Sequence, residues 1–80
     1  MDDTSIDPGW RVDIKAARVH LYCGHDERAL QHVTLARDAL LSSQGPRLPV
    51  LPHLASAHWL VRHHRYIEAQ AELQAALDDG

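Results

Sequence analysis

The sequence predicts an all-α domain of four helices arranged as two antiparallel helix-turn-helix hairpins. Three observations carry this. Apolar residues recur at helical spacing on both sides of Cys23-Gly24-His25-Asp26: Ile14, Ala17 and Leu21 before it, then Ala29, Val33, Ala36 and Leu40 after it. The second half of the chain repeats the first at a shift of forty residues. Alanine and leucine dominate, and β-branched residues are scattered singly, which favours helix over strand.

Residues 1–6 are acidic and polar with nothing to bury, and are expected to be disordered. A single helical domain is expected over 7–80, with a hairpin over 8–43, a loop over 44–51 and a second hairpin over 52–79. Asp7 can cap free backbone N–H groups, and Pro8 suits the first helical position. The first helix then runs to about Cys23. Trp10, Ile14, Ala17 and Leu21 form one apolar row, and Val12, Ala16, Val19 and Cys23 form a neighbouring one. Together they exceed what one antiparallel neighbour needs. Gly24 is the natural left-handed residue to end this helix. Asp26 and Glu27 put negative charge at the start of the second helix, where its dipole favours it. That helix runs to about Ser42.

Gly45-Pro46 and Pro49 cannot continue a helix. The third helix is expected from Pro52 to His63, with Leu54, Ala57 and Val61 on one face and Trp59 and Leu60 beside it. A break near His64-Arg65 leads into the fourth, from Tyr66 to Asp78, with Ala69, Leu73 and Ala76 inside. Asp78 and Asp79 oppose the dipole at that end, so fraying is expected there. The core should hold leucines, alanines, valines and both tryptophans.

The forty-residue shift aligns Ile14 with Leu54, Ala17 with Ala57, Val19 with Trp59 and Leu21 with Val61. It also aligns Ala29 with Ala69, Val33 with Leu73 and Ala36 with Ala76. On these residues the chain resembles tetratricopeptide-type α-α repeats. Ala57, Leu60, Tyr66, Ala69, Leu73 and Ala76 sit at that family's packing positions, as do Ala17, Gly24, Ala29, Val33 and Ala36. A second resemblance, to the C-terminal half of YfdX-like bacterial proteins, rests on Asp13-Ile14, Ala17-Arg18, Leu21, Gly24, Ala29, Leu48-Pro49-Val50 and Glu68 to Leu77. That family is helical and linked to stress responses.

The repeat resemblance implies a groove lined by the first helix of each hairpin. Carried onto this chain, it selects Arg11, Lys15, Arg18 and Tyr22, then Leu54, His58 and Arg62. Arg11, Lys15 and Arg18 are spaced to share one helix face, where like charges cost roughly 0.2–0.5 kcal/mol per pair. An acidic segment would relieve that repulsion, with arginine able to bind a carboxylate bidentately. The chain has no asparagine, the residue type of the family's carboxylate clamp, so the expected ligand is an acidic or mixed peptide.

Composition excludes much else. The net charge of −3 offers no general attraction for nucleic acid or an anionic membrane, and no apolar run reaches the length of a signal peptide or membrane span. One cysteine rules out an internal disulfide and fits a reducing, cytoplasmic setting. Among seven histidines, His20 and His25 flank Cys23 closely enough to suggest a soft metal site. A fourth ligand is not evident, so no metal or cofactor is expected. Cys23 with His20 or His25 also lacks an orienting third group and an oxyanion loop, and no phosphate-binding loop is present. The expected protein is not an enzyme. It is an interaction module, an adaptor, chaperone or assembly factor with a protein or peptide partner. The alternative is a self-associating, pH-responsive stress protein, a homodimer in its simplest form.

Overall fold

A computed structural model describes residues 9–42 and 50–79 of the chain. They form α1 (Gly9–Tyr22), α2 (Asp26–Ser42), α3 (Val50–Arg62) and α4 (Tyr66–Asp79). The segment 1–6, the Asp7-Pro8 cap and residues 44–49 of the expected loop lie outside the described residues. The fold is all-α, and each pair α1/α2 and α3/α4 is a closely packed hairpin.

The forty-residue repeat extends to the turns. After α1 the Gly24 N–H donates to Leu21 O at 3.1 Å and the His25 N–H to His20 O at 2.8 Å. After α3 the His64 N–H donates to Val61 O at 3.0 Å and the Arg65 N–H to Leu60 O at 2.8 Å. This crossed pair of bonds satisfies carbonyls that a helix end otherwise leaves open. It demands a left-handed residue, which is Gly24 (φ 78°) in the first hairpin and His64 (φ 62°) in the second. His64 adopts this conformation with a side chain present, at a steric cost that glycine avoids.

The core is one layer shared by all four helices. Ile14, Ala17 and Leu21 of α1 meet Ala29, Val33, Ala36 and Leu40 of α2, and Leu54, Ala57 and Val61 of α3 meet Ala69, Leu73 and Ala76 of α4. Trp10 and Val50, also forty apart, close it at one end. Six alanines are fully buried: Ala17, Ala29, Ala36, Ala57, Ala69 and Ala76. Every one of the seven aligned pairs matches in burial, including Val19 and Trp59, which are both exposed.

Three expectations are corrected. Trp59 is not in the core but 52% exposed, whereas Trp10 is buried at 8%. At roughly 100° per residue, Trp59 stands two positions from both Ala57 and Val61, which turns it away from the core line. In the second apolar row of α1, which goes beyond what one neighbour needs, Val12 and Val19 face outward. Finally, α3 begins at Val50 rather than Pro52, and α4 reaches Asp79 without a break. A proline is tolerated in a first helical turn because the N–H it lacks has no intrahelical partner there. Asp79 is held by His53, whose Nε2 lies 2.8 Å from its carboxylate.

The hairpins close on each other through two seams, α2 against α3 and α1 against α4, and the backbones of the diagonal helices stay apart. The same shift of forty that maps α1 on α3 and α2 on α4 therefore maps one seam on the other. This is a pseudo-two-fold bundle. Its turns generate a test. Gly24→Ala should destabilise by about 1–2 kcal/mol, because a Cβ is strained at positive φ. Gly9→Ala, at a helix start with open space around it, should be neutral or stabilise by up to about 1 kcal/mol. Urea denaturation of both variants reads the opposite signs; equal effects would contradict the turn geometry.

Candidate interaction surface

The pseudo-two-fold decides where the residues expected to bind a peptide end up. Arg18 and Tyr22 correspond to His58 and Arg62 under the shift of forty, so the two sets lie on diagonal helices, along different seams. Arg11, Lys15, Arg18 and Tyr22 are not joined with His58 and Arg62 in a groove between α1 and α3, because those helices do not meet. Leu54, also assigned to that groove, is fully buried in the core.

Two of the α1 cations hold the α1/α4 seam. Arg11 Nη1 donates to Leu77 O at 2.9 Å, where a cation suits the carbonyl end of a helix. Arg18 Nε donates to Gln70 Oε1 at 3.1 Å, and its Nη1 donates to Gln74 Oε1. Gln70 returns a bond from Nε2 to Arg18 O at 3.0 Å. Lys15 and Tyr22 are exposed, Tyr22 at 74%. On the other seam His58 is half-buried, and burial, followed by Arg62 and Arg37 nearby, pushes its pKa down.

The histidines near Cys23, weighed above as metal ligands, lie against one another and His32. The His20 ring stacks on His32 with centroids 5.2 Å apart and faces His25 at 5.8 Å. Burial, then His32, His25 and Arg28, lower the His20 pKa. Cys23 is exposed in the turn. Among the described residues no three His, Cys, Asp or Glu side chains sit where they could hold a metal ion.

Each hairpin is instead pinned by a histidine–carboxylate pair at equivalent positions with the roles exchanged. In the first, Asp13 of α1 meets His32 Nδ1 of α2 at 3.0 Å. In the second, His53 Nδ1 of α3 meets Glu72 of α4 at 2.8 Å. With both ring nitrogens against carboxylates, His53 is doubly protonated in this arrangement. The Glu72 bond, reinforced by Asp79 and opposed by partial burial, raises its pKa. At the end of the bundle where the turns lie, Tyr66 donates its hydroxyl to Asp26 at 2.6 Å. Those two residues are also forty apart. The phenol has one proton to give, so His64 Nδ1, 2.6 Å from the same oxygen, is the donor of that second bond. The bond to Asp26 raises the Tyr66 pKa.

A broad concavity with apolar walls and charged edges runs along the outside of the second hairpin. Its space of about 600 Å³ is open, lined by Ala55, Ser56, Trp59 and Leu60 of α3 and by Glu68, Ala71 and Glu72 of α4. The Trp59 ring lies against His63 with centroids 4.0 Å apart. Beyond it, Ile67 is 87% exposed. None of these residues was selected from the sequence as a site. The signal was present in the helical phase of Trp59, opposite Leu54, Ala57 and Val61.

Compared with protein-family models, curated proteins and solved structures, the chain finds no match. No described helix is long and apolar enough to cross a membrane.

The histidines make the site's surroundings titrate in opposite directions. His53 lies above the ordinary 6.5, so its contribution to stability is complete below pH 6.5 and is lost as pH rises through its folded pKa. His20 and His58 lie below 6.5, so their protonation opposes folding, and stability falls as pH drops below 6.5 towards their folded values. Titration of the imidazole C–H signals by nuclear magnetic resonance should place the His53 midpoint above those of His20 and His58. The reverse order would contradict the His53 pairing.

Proposed function

We propose that the protein is a non-enzymatic protein-interaction module, and that its partner docks in the outer groove of the second hairpin. The observation that carries this is Trp59. A tryptophan half in water, on a helix whose core face is complete without it, adds nothing to the core that a smaller residue would lose. Aromatic anchors of this kind supply much of the energy of protein interfaces. The apolar floor favours a partner with an apolar ridge, while Glu68 and Glu72 at its edge are paired within the chain with Arg65 and His53. The α1 stripe supports docking less well, because an acidic ligand would have to displace the bonds of Arg11 and Arg18 to α4.

Trp59→Ala separates this reading from a structural role. The variant should unfold within about 0.5–1 kcal/mol of the parent, the usual range for surface changes. It should lose at least tenfold in partner capture, a drop of about 1.4 kcal/mol. Affinity purification from the native host with parent and variant in parallel, read by mass spectrometry, makes the comparison. Equal recovery of the same proteins by both would overturn the assignment of the groove.

A further inference from the structure

α2 is the helix on which histidines act from two sides. It packs against α1 within its hairpin and against α3 across the seam. The charged groups set against His20 of α1 are His32 and Arg28 of α2 and His25 of the turn, all of them basic. The His20 ring stacks on His32 at 5.2 Å and meets His25 at 5.8 Å. On the α3 side, half-buried His58 faces Arg37 of α2 and Arg62 of its own helix. The carboxylates of this half are engaged or exposed. Asp13 meets His32 at 3.0 Å, Asp26 accepts from Tyr66, and Glu27 and Asp38 stand exposed. The second hairpin is built differently at the same places. His20, His25, Arg28 and His32 correspond there to Leu60, Arg65, Glu68 and Glu72. Arg65 Nε lies 2.7 Å from Glu68, and His53, in the place of Asp13, sits between Glu72 and Asp79. The α1/α4 seam is joined by Arg11 and Arg18 to carbonyl and amide oxygens, groups that do not titrate near neutral pH.

We infer that mild acid releases α2 from the bundle while α3 and α4 stay paired. Protonated His20 and His58 each face a guanidinium of α2, Arg28 and Arg37 respectively. Moving α2 away relieves both repulsions, because it is their common member. Burial further disfavours both protonations in the folded chain, so stability falls as pH drops below 6.5. The Asp13–His32 pair acts the other way, since a protonated His32 is drawn to the carboxylate. It offsets the charge of His32 alone and leaves His20 facing Arg28 and His25. The bond from Tyr66 to Asp26 holds only the turn end of this 17-residue helix. His53 titrates in the opposite sense: its contribution is complete below pH 6.5, so acid leaves the second hairpin pinned. Release uncovers Ala29, Val33, Ala36 and Leu40 of α2, with Ile14 and Leu54 of the core they covered. A fall in pH thereby becomes exposed apolar surface. The Trp59 groove lies on α3 and α4 and keeps both walls.

Amide hydrogen exchange reads the opening helix by helix, followed by nuclear magnetic resonance at about pH 7.5 and about pH 5.5. Each rate is divided by that of the unstructured peptide at the same pH. From the higher to the lower pH, α2 should lose about two- to fivefold in protection relative to α4, the scale of partly exposed charge interactions. His20→Leu copies Leu60 at the equivalent position and should remove part of that loss. Combined with His58→Gln it should abolish the loss, with helical content at neutral pH unchanged by circular dichroism. Equal losses in α2 and α4 of the parent would overturn the inference, because the domain would then open as a whole. So would α2 protection that holds or rises in acid, or a loss that persists undiminished in the double variant.

Discussion

Six buried alanines are the constraint on which the rest of the molecule depends. Ala17, Ala29, Ala36, Ala57, Ala69 and Ala76 are all closed to water, and no buried position among the described residues is polar. Small side chains let helix backbones come close and cost no rotamer entropy on burial. A domain this size stays near the limit at which one core suffices. It compensates by close contact in place of bulk, since the chain contains no phenylalanine. The larger core members, Ile14, Val33, Leu54 and Leu73, fill the spaces between the alanines.

Closure follows from that layer being repeated. An apolar row on each of four helices leaves no helix able to bury its row against a single neighbour. With α1 returning to α4, each helix gains two neighbours and the core has no open end between hairpins. The polar residues then divide by location. Arg18 with Gln70 and Gln74, and Arg11 with the Leu77 carbonyl, hold α1 to α4. The histidine–carboxylate pairs hold each hairpin together, and Tyr66 with Asp26 ties the two at the turns. These bonds are partly exposed and individually modest. Their placement sets which faces meet, more than how strongly.

Helices, turns and the alanine-centred core were legible in the sequence because each depends on local spacing. Ile14, Ala17 and Leu21 announce their face by periodicity, and Gly24 announces its turn by chemistry. His64 shows the limit: nothing in its identity marks a left-handed residue, and only the match to Gly24 points to it. Arg18 was not legible as a seam residue. Its role turns on whether α1 meets α3 or α4, and that choice is made between segments more than fifty residues apart in sequence, such as Arg18 and Gln70. Trp59 failed in a different way. Its size argued for burial and its helical phase argued for exposure; the phase was the better guide, as packing geometry overrides hydrophobicity for a single residue. The exchanged pairs Asp13–His32 and His53–Glu72 were visible as charged residues at matching positions, but not as partners.

The central claim is that α1 lies against α4 and diagonal to α3. Nuclear Overhauser contacts in an isotope-labelled sample test it most directly. The bundle predicts contacts between the Arg18 side chain and the amide protons of Gln70 and Gln74, with none between α1 and α3. Contacts joining Lys15 or Tyr22 to Ala55 or Arg62, with no α1–α4 contacts, would contradict it and restore a groove shared by the first helices of the two hairpins.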